Sequence, residues 1–307
     1  MVAFTLRRLL STILVLWAVV TLTFFAIRLL PGDPVTVLIS QGGGSAEDIA
    51  DLRQKLGLDD PLPIQYLHFL ANLVRGDLGT SLVGRRPVSV AIAEQLPHTL
   101  ALATSATLIS VVVGILLGVL AATHEGSWVD QLCITLAVLG VSVPILLSGL
   151  LFILLFSLVL GWLPATGQGT WRHLVMPSMV LSLASTGTIA RLVRTQMLEV
   201  LPQEYVTVAR AKGLQERVIF WRHALRNALI PIVTVVGLQF GALLGGTVVT
   251  ESLFSRRGLG RLVVDAISWK DYPLVQGVVI LGAAIYVIVN LVVDLSYGLL
   301  DPRIRRR

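Results

Sequence analysis

Long runs without a charged side chain dominate this sequence, and they decide the solvent in which it folds. Leu9–Ile27, Thr99–Ala122, Gln131–Trp171, Asn227–Thr250 and Tyr272–Val293 contain no Asp, Glu, Lys or Arg. A helix needs about 20 apolar residues to cross the hydrocarbon core of a bilayer. The third run is too long for one crossing. Gly161-Trp162-Leu163-Pro164-Ala165-Thr166-Gly167 interrupts it with turn residues and an interfacial tryptophan. One span is therefore expected near 132–160 and another near 173–193, which makes six in all. The fourth is the least apolar, because it holds Ser182, Ser185, Thr186 and Thr188. Lipid offers the backbone no hydrogen-bond partners, so the spans must be helices and the expected fold is an all-α integral membrane protein.

Composition agrees. Only 14% of the 307 residues are charged and 55% are hydrophobic, whereas a soluble domain carries about 25% charged residues. This argues against a soluble enzyme and against a disordered chain. A single cysteine, Cys133, rules out an internal disulfide and any cysteine-based metal cluster. The first apolar run has the position of a signal peptide. Its apolar core is too long for one, and Leu30-Pro31-Gly32-Asp33-Pro34 follows it instead of a small-residue cleavage site, so a retained helix is expected.

Six spans put both ends of the chain on one side of the membrane. Residues 1–8, 123–130, 191–226 and the tail from Asp294 then share that side, with 13 Lys and Arg against 7 Asp and Glu. Charge bias orients a membrane protein through its short loops. With the long segment from Arg28 to His98 discounted, the contest is 13 basic residues against 5. Both termini are therefore expected in the cytoplasm. The net charge of +6 is accounted for by topology and lipid headgroups, with no need of nucleic acid. On this reading the chain divides into an N-terminal spanning helix (1–30), an external loop region (31–98), a core of five spans (99–297) and a cytoplasmic tail (298–307).

The first external loop contains Gly42-Gly43-Gly44-Ser45, then a helix expected from Pro63 with Ile64, Leu67, Leu70 and Val74 at near-helical spacing. That helix either lies on the membrane surface or packs on the external ends of the spans. The last external loop, Glu251 to Pro273, mixes Phe254, Leu259, Leu262 and Val263 with Arg256, Arg257 and Arg261, and is expected to be partly buried.

The internal loop at about 199–227 carries the most information. Pro202 stands where a helix can start, and Tyr205, Val208, Ala209 and Lys212 then share one face. Gly213 can close that helix in a left-handed cap. A second amphipathic stretch from Glu216 leads into the fifth span. Helix, glycine corner and second helix make a knob that fits a partner's groove; a connector lying on the headgroups is the alternative.

Chemistry that would make this chain an enzyme is missing from its motifs. The lysines, Lys55, Lys212 and Lys270, follow Gln54, Ala211 and Trp269, so no phosphate-cradling Gly-Lys pair exists. No serine sits in a G-x-S-x-G turn. The five histidines make no H-E-x-x-H, and His124 and His223 read as headgroup or loop residues. Ion-coupled transporters place ionisable groups within a span. Here the candidates are Asp294, Arg191 and Arg194, all near span ends where they could snorkel to the interface. If the chain drives transport, the energy must come from a partner.

The fifth span repeats glycine every four residues at Gly237, Gly241 and Gly245, with Gly246 beside them, and Gly114 and Gly118 make a further unit. Such spacing lets helix backbones approach closely, within the chain or against a second membrane subunit. Ser142, Ser182, Ser185, Thr186 and Gln239 are polar groups in apolar helices. Unsatisfied polar groups in lipid cost several kcal/mol, roughly 2–7, so these should line a translocation path or bond between helices.

The segment 204–231 resembles the membrane permease subunits of bacterial binding-protein-dependent ABC importers. Within them the chain is similar to the first permease of the dipeptide, oligopeptide, nickel and glutathione group. The resemblance rests on Leu30-Pro31-Gly32-Asp33-Pro34, Leu56-Gly57-Leu58-Asp59, Gly76-Asp77-Leu78-Gly79, Ala209-Arg210-Ala211-Lys212-Gly213, Arg222-His223-Ala224-Leu225-Arg226-Asn227 and Leu300-Asp301-Pro302-Arg303-Ile304-Arg305. One departure is Thr207-Val208-Ala209 in place of the Glu-Ala-Ala of the general permease signature, with Pro231 standing farther on.

The resemblance implies the type I ABC importer permease architecture and a second permease subunit as heterodimeric partner. It also implies two cytoplasmic ATP-binding subunits that hold ATP and Mg, and an extracytoplasmic substrate-binding protein. No cofactor or metal is expected in this chain itself. Glu204, Tyr205, Val208, Ala209, Arg210, Lys212 and Gly213 would carry the coupling to the ATPase, with Tyr205 and Val208 filling an apolar pocket and Arg210 or Lys212 meeting acids at its rim. The expected cargo is a short peptide or glutathione, with nickel as the alternative. A passive channel would leave the docking loop without a purpose, and a membrane-embedded enzyme would need a reactive cluster that the sequence does not offer.

Overall fold

A computed structural model describes residues 2–29, 53 and 59–300. The motifs at 30–34, 42–45, 56–58 and 301–305 lie outside the described residues, as do the side chains of His223 and Asp294. The described chain is helical: α1 (Val2–Leu29), α2 (Leu62–Val74), α3 (Val88–Thr123), α4 (Trp128–Ser142), α5 (Ile145–Phe152), α6 (Arg172–Val200), α7 (Glu204–Ala211), α8 (Glu216–Val218), α9 (Leu225–Leu253), α10 (Leu259–Ser268) and α11 (Tyr272–Leu300). Two π-helical segments, Ile153–Val159 and Ile219–Ala224, follow α5 and α8.

Among the described residues, four helices are each long and apolar enough to cross a membrane: Arg8–Leu29, Val88–Thr123, Arg172–Val200 and Tyr272–Val293. Two bent pairs bring the number up to six if each counts as one span. One is Trp128–Ser142 with Ile145–Val159, broken by 108°; the other is Glu216–Leu229 with Pro231–Gly245, bent by 59°. The expected single span at 132–160 is thus two helices meeting at a corner. Val143 is extended (φ −79°, ψ 124°) because Pro144 follows it, and Pro144 then starts α5. The helix α3 begins at Val88, inside the region 31–98 taken from sequence as external loop, and it runs through Pro97.

The chain forms two compact units. One holds Leu6–Thr99 and Arg257–Val287. Here α2 packs on the end of α1 through an aromatic cluster. Phe24 meets Tyr66 and Phe69 at ring-centre distances of 5.2 and 5.3 Å. The Arg28 guanidinium covers the other polar need of this end, lying 3.7 Å from the Phe24 ring centre and donating from Nε to Gln65 Oε1 at 2.8 Å. The helix α2 packs on the span end through Gln65, Tyr66 and Phe69, while the predicted apolar positions Ile64, Leu67 and Val74 stay exposed. A core of Ile27, Val88, Ala91, Ile92, Leu259, Leu274 and Val278 joins the remaining elements. The fully buried Asp271 pins the 81–83 turn by accepting from the Ser81 hydroxyl and from the Leu82 and Val83 amides.

The other unit holds residues 1–5, Leu100–Arg256 and Ile288–Arg307. Its axis is α6, whose Met176, Ile189, Val193 and Met197 are wholly buried. Glycines let the neighbouring backbones come close. A side chain at Gly114 would meet Ile189, and one at Gly118 would lie 2.5 Å from Val193 Cβ and 2.6 Å from the Ala190 carbonyl. Gly140 faces the Leu183 carbonyl, and Gly187 faces that of Ala137. The Gly114 and Gly118 pair therefore serves packing within the chain. At the far end of α9, the buried Arg256 donates from Nη1 to the His173 carbonyl at 2.9 Å. Burial pulls its guanidinium below the ordinary value, with Glu251 acting in the opposite direction.

Candidate functional site

The internal loop folds as a helix, a corner and a second helix against the end of α6. Its hydrophobic anchor is Val206, fully buried, with Ala209 beside it at 7% exposure, packed with Val119, Met197, Val200, Ile219 and Leu225. Tyr205, Val208 and Lys212 stand outward, with Val208 52% exposed. Ala209 therefore turns inward, away from the face that the spacing had assigned it with Tyr205 and Val208. A short helix with four apolar residues in a row of five carries two apolar stripes, and the core takes the smaller one.

The glycine corner is as expected. Gly213 has φ +77°, its amide donates to the Arg210 carbonyl at 2.9 Å, and the Leu214 amide reaches the Ala209 carbonyl at 3.3 Å. These two bonds are the paired closure of a helix that ends on a left-handed residue. A side chain at Gly213 would meet nothing within 4 Å, so the position is glycine for its conformation and not for lack of room.

Polar contacts tie the knob together. Arg210 Nε donates to Glu216 Oε1 at 2.8 Å across the corner. Asn227 Nδ2 donates to the Tyr205 hydroxyl at 2.7 Å, linking α7 to the start of α9. Arg210 is thus engaged within the loop, whereas Lys212 forms no ion pair with a described residue. Glu204 is exposed at the first turn, where a carboxylate suits the helix dipole.

Sequence reasoning missed the brace behind this site. Arg194, expected to snorkel, grips Asp130 through two bonds, Nε to Oδ1 and Nη2 to Oδ2, each 2.7 Å. Asp130 is buried and also accepts from the Gly126 amide at 3.0 Å. The pair fixes the start of α4 to the end of α6 that carries the knob. Two lone charges 64 residues apart gave no signal of pairing in the sequence.

Among the polar residues of the spans, Ser182, Ser185 and Thr186 are all buried on α6. Ser185 donates to Gln239 Oε1 on α9 at 3.2 Å, and Ser182 donates back to the Met179 carbonyl at 2.7 Å. The Thr186 hydroxyl is buried and has no hydrogen-bond partner among the described residues. Ser142 stands exposed at the end of α4. The glycines of α9 also divide: Gly237 lies against Val293, Gly241 is buried, and Gly245 is exposed with nothing within 4 Å of a would-be side chain.

Residues 114–306 match the binding-protein-dependent transport system inner membrane component family, and residues 1–103 match the N-terminal region of such membrane components. The chain belongs to this family. Among similar proteins are the glutathione transport system permease proteins GsiC of Salmonella typhimurium, 44% identical over 305 residues, and of Escherichia coli strain K12, 42% identical. In both cases 99% of each chain is covered. Solved structures share the fold. The inward-facing MetNI methionine ABC transporter aligns with a TM-score of 0.58 at 18% identity, over 68% of this chain and 95% of that one. An amino acid ABC transporter aligns at 0.51 and 16%, over 70% and 94%. This permease is therefore a membrane-spanning subunit of an ABC importer, all-α, as the resemblance in the sequence implied.

Proposed function

We propose that this permease forms, with a second permease subunit, the translocation path for short peptides, with glutathione as the first substrate to test. Two ATP-binding subunits, holding ATP and Mg, would drive it from the cytoplasm, and an extracytoplasmic binding protein would deliver the cargo. Both termini would lie in the cytoplasm, so that the knob at 204–213 faces the ATPase. Identity above 40% along 99% of the chain to glutathione permeases supports the cargo. The grouping of Ser185, Thr186 and Gln239 between α6 and α9 supports a path there.

The observation that carries the reading is the outward stripe of Tyr205, Val208 and Lys212 on a helix whose other stripe is built into the core. A partner that presses on this stripe moves α6 and α9 with it. The chain itself offers no nucleotide motif, so the stripe is where external work would enter. Gly213→Val tests this. The variant loses about 1 kcal/mol at a left-handed position, without a steric clash. It should insert normally yet bind the ATP-binding subunits less tightly, or hydrolyse ATP without matching glutathione uptake. A Gly213→Val complex with wild-type uptake per ATP would reduce the loop to a connector. Uptake of labelled glutathione by the reconstituted complex with its own binding protein tests the cargo separately.

A further inference from the structure

We propose that the cleft between the end of α3 and the π-helical segment before α9 is a binding site for an anionic phospholipid. The cleft measures about 550 Å³ and is open to the outside. Leu116, Leu120, Phe220 and Trp221 form much of its wall, and Arg217 and His124 complete the lining. Everything that lines it belongs to one compact unit.

The order of these residues along α3 gives the site a depth. Leu116 and Leu120 lie in the last two turns of a membrane-spanning helix and are 51% and 43% exposed. His124 begins the short turn that joins α3 to α4, another apolar helix, so this turn sits where the bilayer ends. Along α3 the apolar wall gives way to a polar rim within one helical turn, as acyl chain gives way to phosphate in a lipid. Trp221 and Trp128, 45% and 74% exposed, flank this level, where indole rings favour the headgroup boundary.

Charge favours an anion. Two acids near this end are paired: Asp130 with Arg194, and Glu216 with Arg210. Glu125 lies in the field of Arg194. Arg217 is exposed and makes no ion pair with a described residue. His124 Nδ1 lies 3.1 Å from the Leu120 carbonyl, which leaves Nε2 as the ring's other polar atom. A guanidinium matches phosphate geometry with two parallel donors. A protein occupant would need to cover a groove whose polarity changes within one helical turn, whereas a phospholipid has that change built in.

The test uses the complete importer complex, purified in detergent and examined by native mass spectrometry with added phosphatidylglycerol or phosphatidylcholine. The wild type should retain phosphatidylglycerol in preference to phosphatidylcholine. Arg217→Gln should lower the apparent affinity for phosphatidylglycerol about fivefold, read from a titration of the lipid, the effect of one basic residue at an anionic surface. Leu120→Trp, which fills the apolar part, should lower binding of both lipids. Arg222→Gln, at an exposed position outside the lining, should match the wild type. Equal retention of the two lipids by the wild type, or equal phosphatidylglycerol binding by Arg217→Gln and Arg222→Gln, overturns the proposal. Efficient crosslinking of Trp221→Cys to another subunit in native membranes also overturns it, since protein would then cover the cleft.

Discussion

The helix α6 and the knob that follows it differ in how they are held. Around α6, backbones touch through Gly114, Gly118, Gly140 and Gly187, and the side chains between them are wholly buried. The knob has one buried stripe, Val206 and Ala209, and otherwise relies on exposed polar contacts such as Arg210 with Glu216. The first arrangement cannot yield by small amounts, because close-packed helices have no slack. The second can be reshaped at little cost. A rigid rod ending in a compliant contact suits a part that receives motion at one end and delivers it at the other.

Substitutions in the rod should have the largest effect. Gly118→Leu sets a side chain against Val193 and the Ala190 carbonyl. It should destabilise the subunit by about 3 kcal/mol or more, the upper range of overpacking, and abolish recovery of assembled complex from detergent. Next is Asp130→Ala, which strips the partner from Arg194. Losing one member of a buried pair costs roughly 3–5 kcal/mol, but Arg194 is 26% exposed and regains some water, so about 2 kcal/mol is expected. The Asp130→Ala/Arg194→Ala double variant should melt above the Asp130→Ala single variant, which a thermal unfolding series would read directly.

The knob should be more forgiving. Glu216→Ala breaks a pair whose partners are 42% and 54% exposed, and should cost under about 1 kcal/mol. If its melting temperature fell as far as that of Asp130→Ala, the contrast between rod and knob would fail. The smallest effect belongs to Gly245→Ala, where a methyl group meets open space. The isolated subunit should be unchanged or slightly more stable, as helix propensity favours alanine by about 1 kcal/mol. Loss of pairing with the second permease in a pull-down would identify this glycine as a contact between subunits.

The apolar helices, the glycine corner and the Gly114 and Gly118 contact were legible in sequence because each leaves a local signature: a charge-free run, a glycine after an amphipathic turn, a four-residue repeat. What escaped was direction. The run from Gln131 has the same hydropathy whether it continues straight or turns by 108° at Val143 and Pro144; Pro144 was the available signal, but Pro97 and Pro177 lie inside continuous helices, so a proline alone does not fix a corner. Gly140 and Gly187 belong to no repeat, yet each meets a carbonyl of the facing helix. Ala209 was assigned to the wrong side because Tyr205 with Val208 and Val206 with Ala209 are two apolar pairs at helical spacing on one short helix, and spacing alone does not choose between them. The Asp130 and Arg194 pair needed the fold itself.

Pro231 lies inside α9, where it can donate no hydrogen bond to the Asn227 carbonyl one turn back. The side chain of that same Asn227 holds Tyr205 on the knob. The bend at Pro231 and the contact through which the proposed coupling would act thus lie one helical turn apart. Beyond the bend, Pro231–Leu253 is an arm of about 34 Å at 1.5 Å per residue. A swing of about 10° there carries the far tip through roughly 6 Å, on the order of one helical pitch. If the knob receives the stroke as proposed, a sub-ångström displacement at the tyrosine hydroxyl would be geared up, along a single helix, to a distance comparable with the width of a small solute.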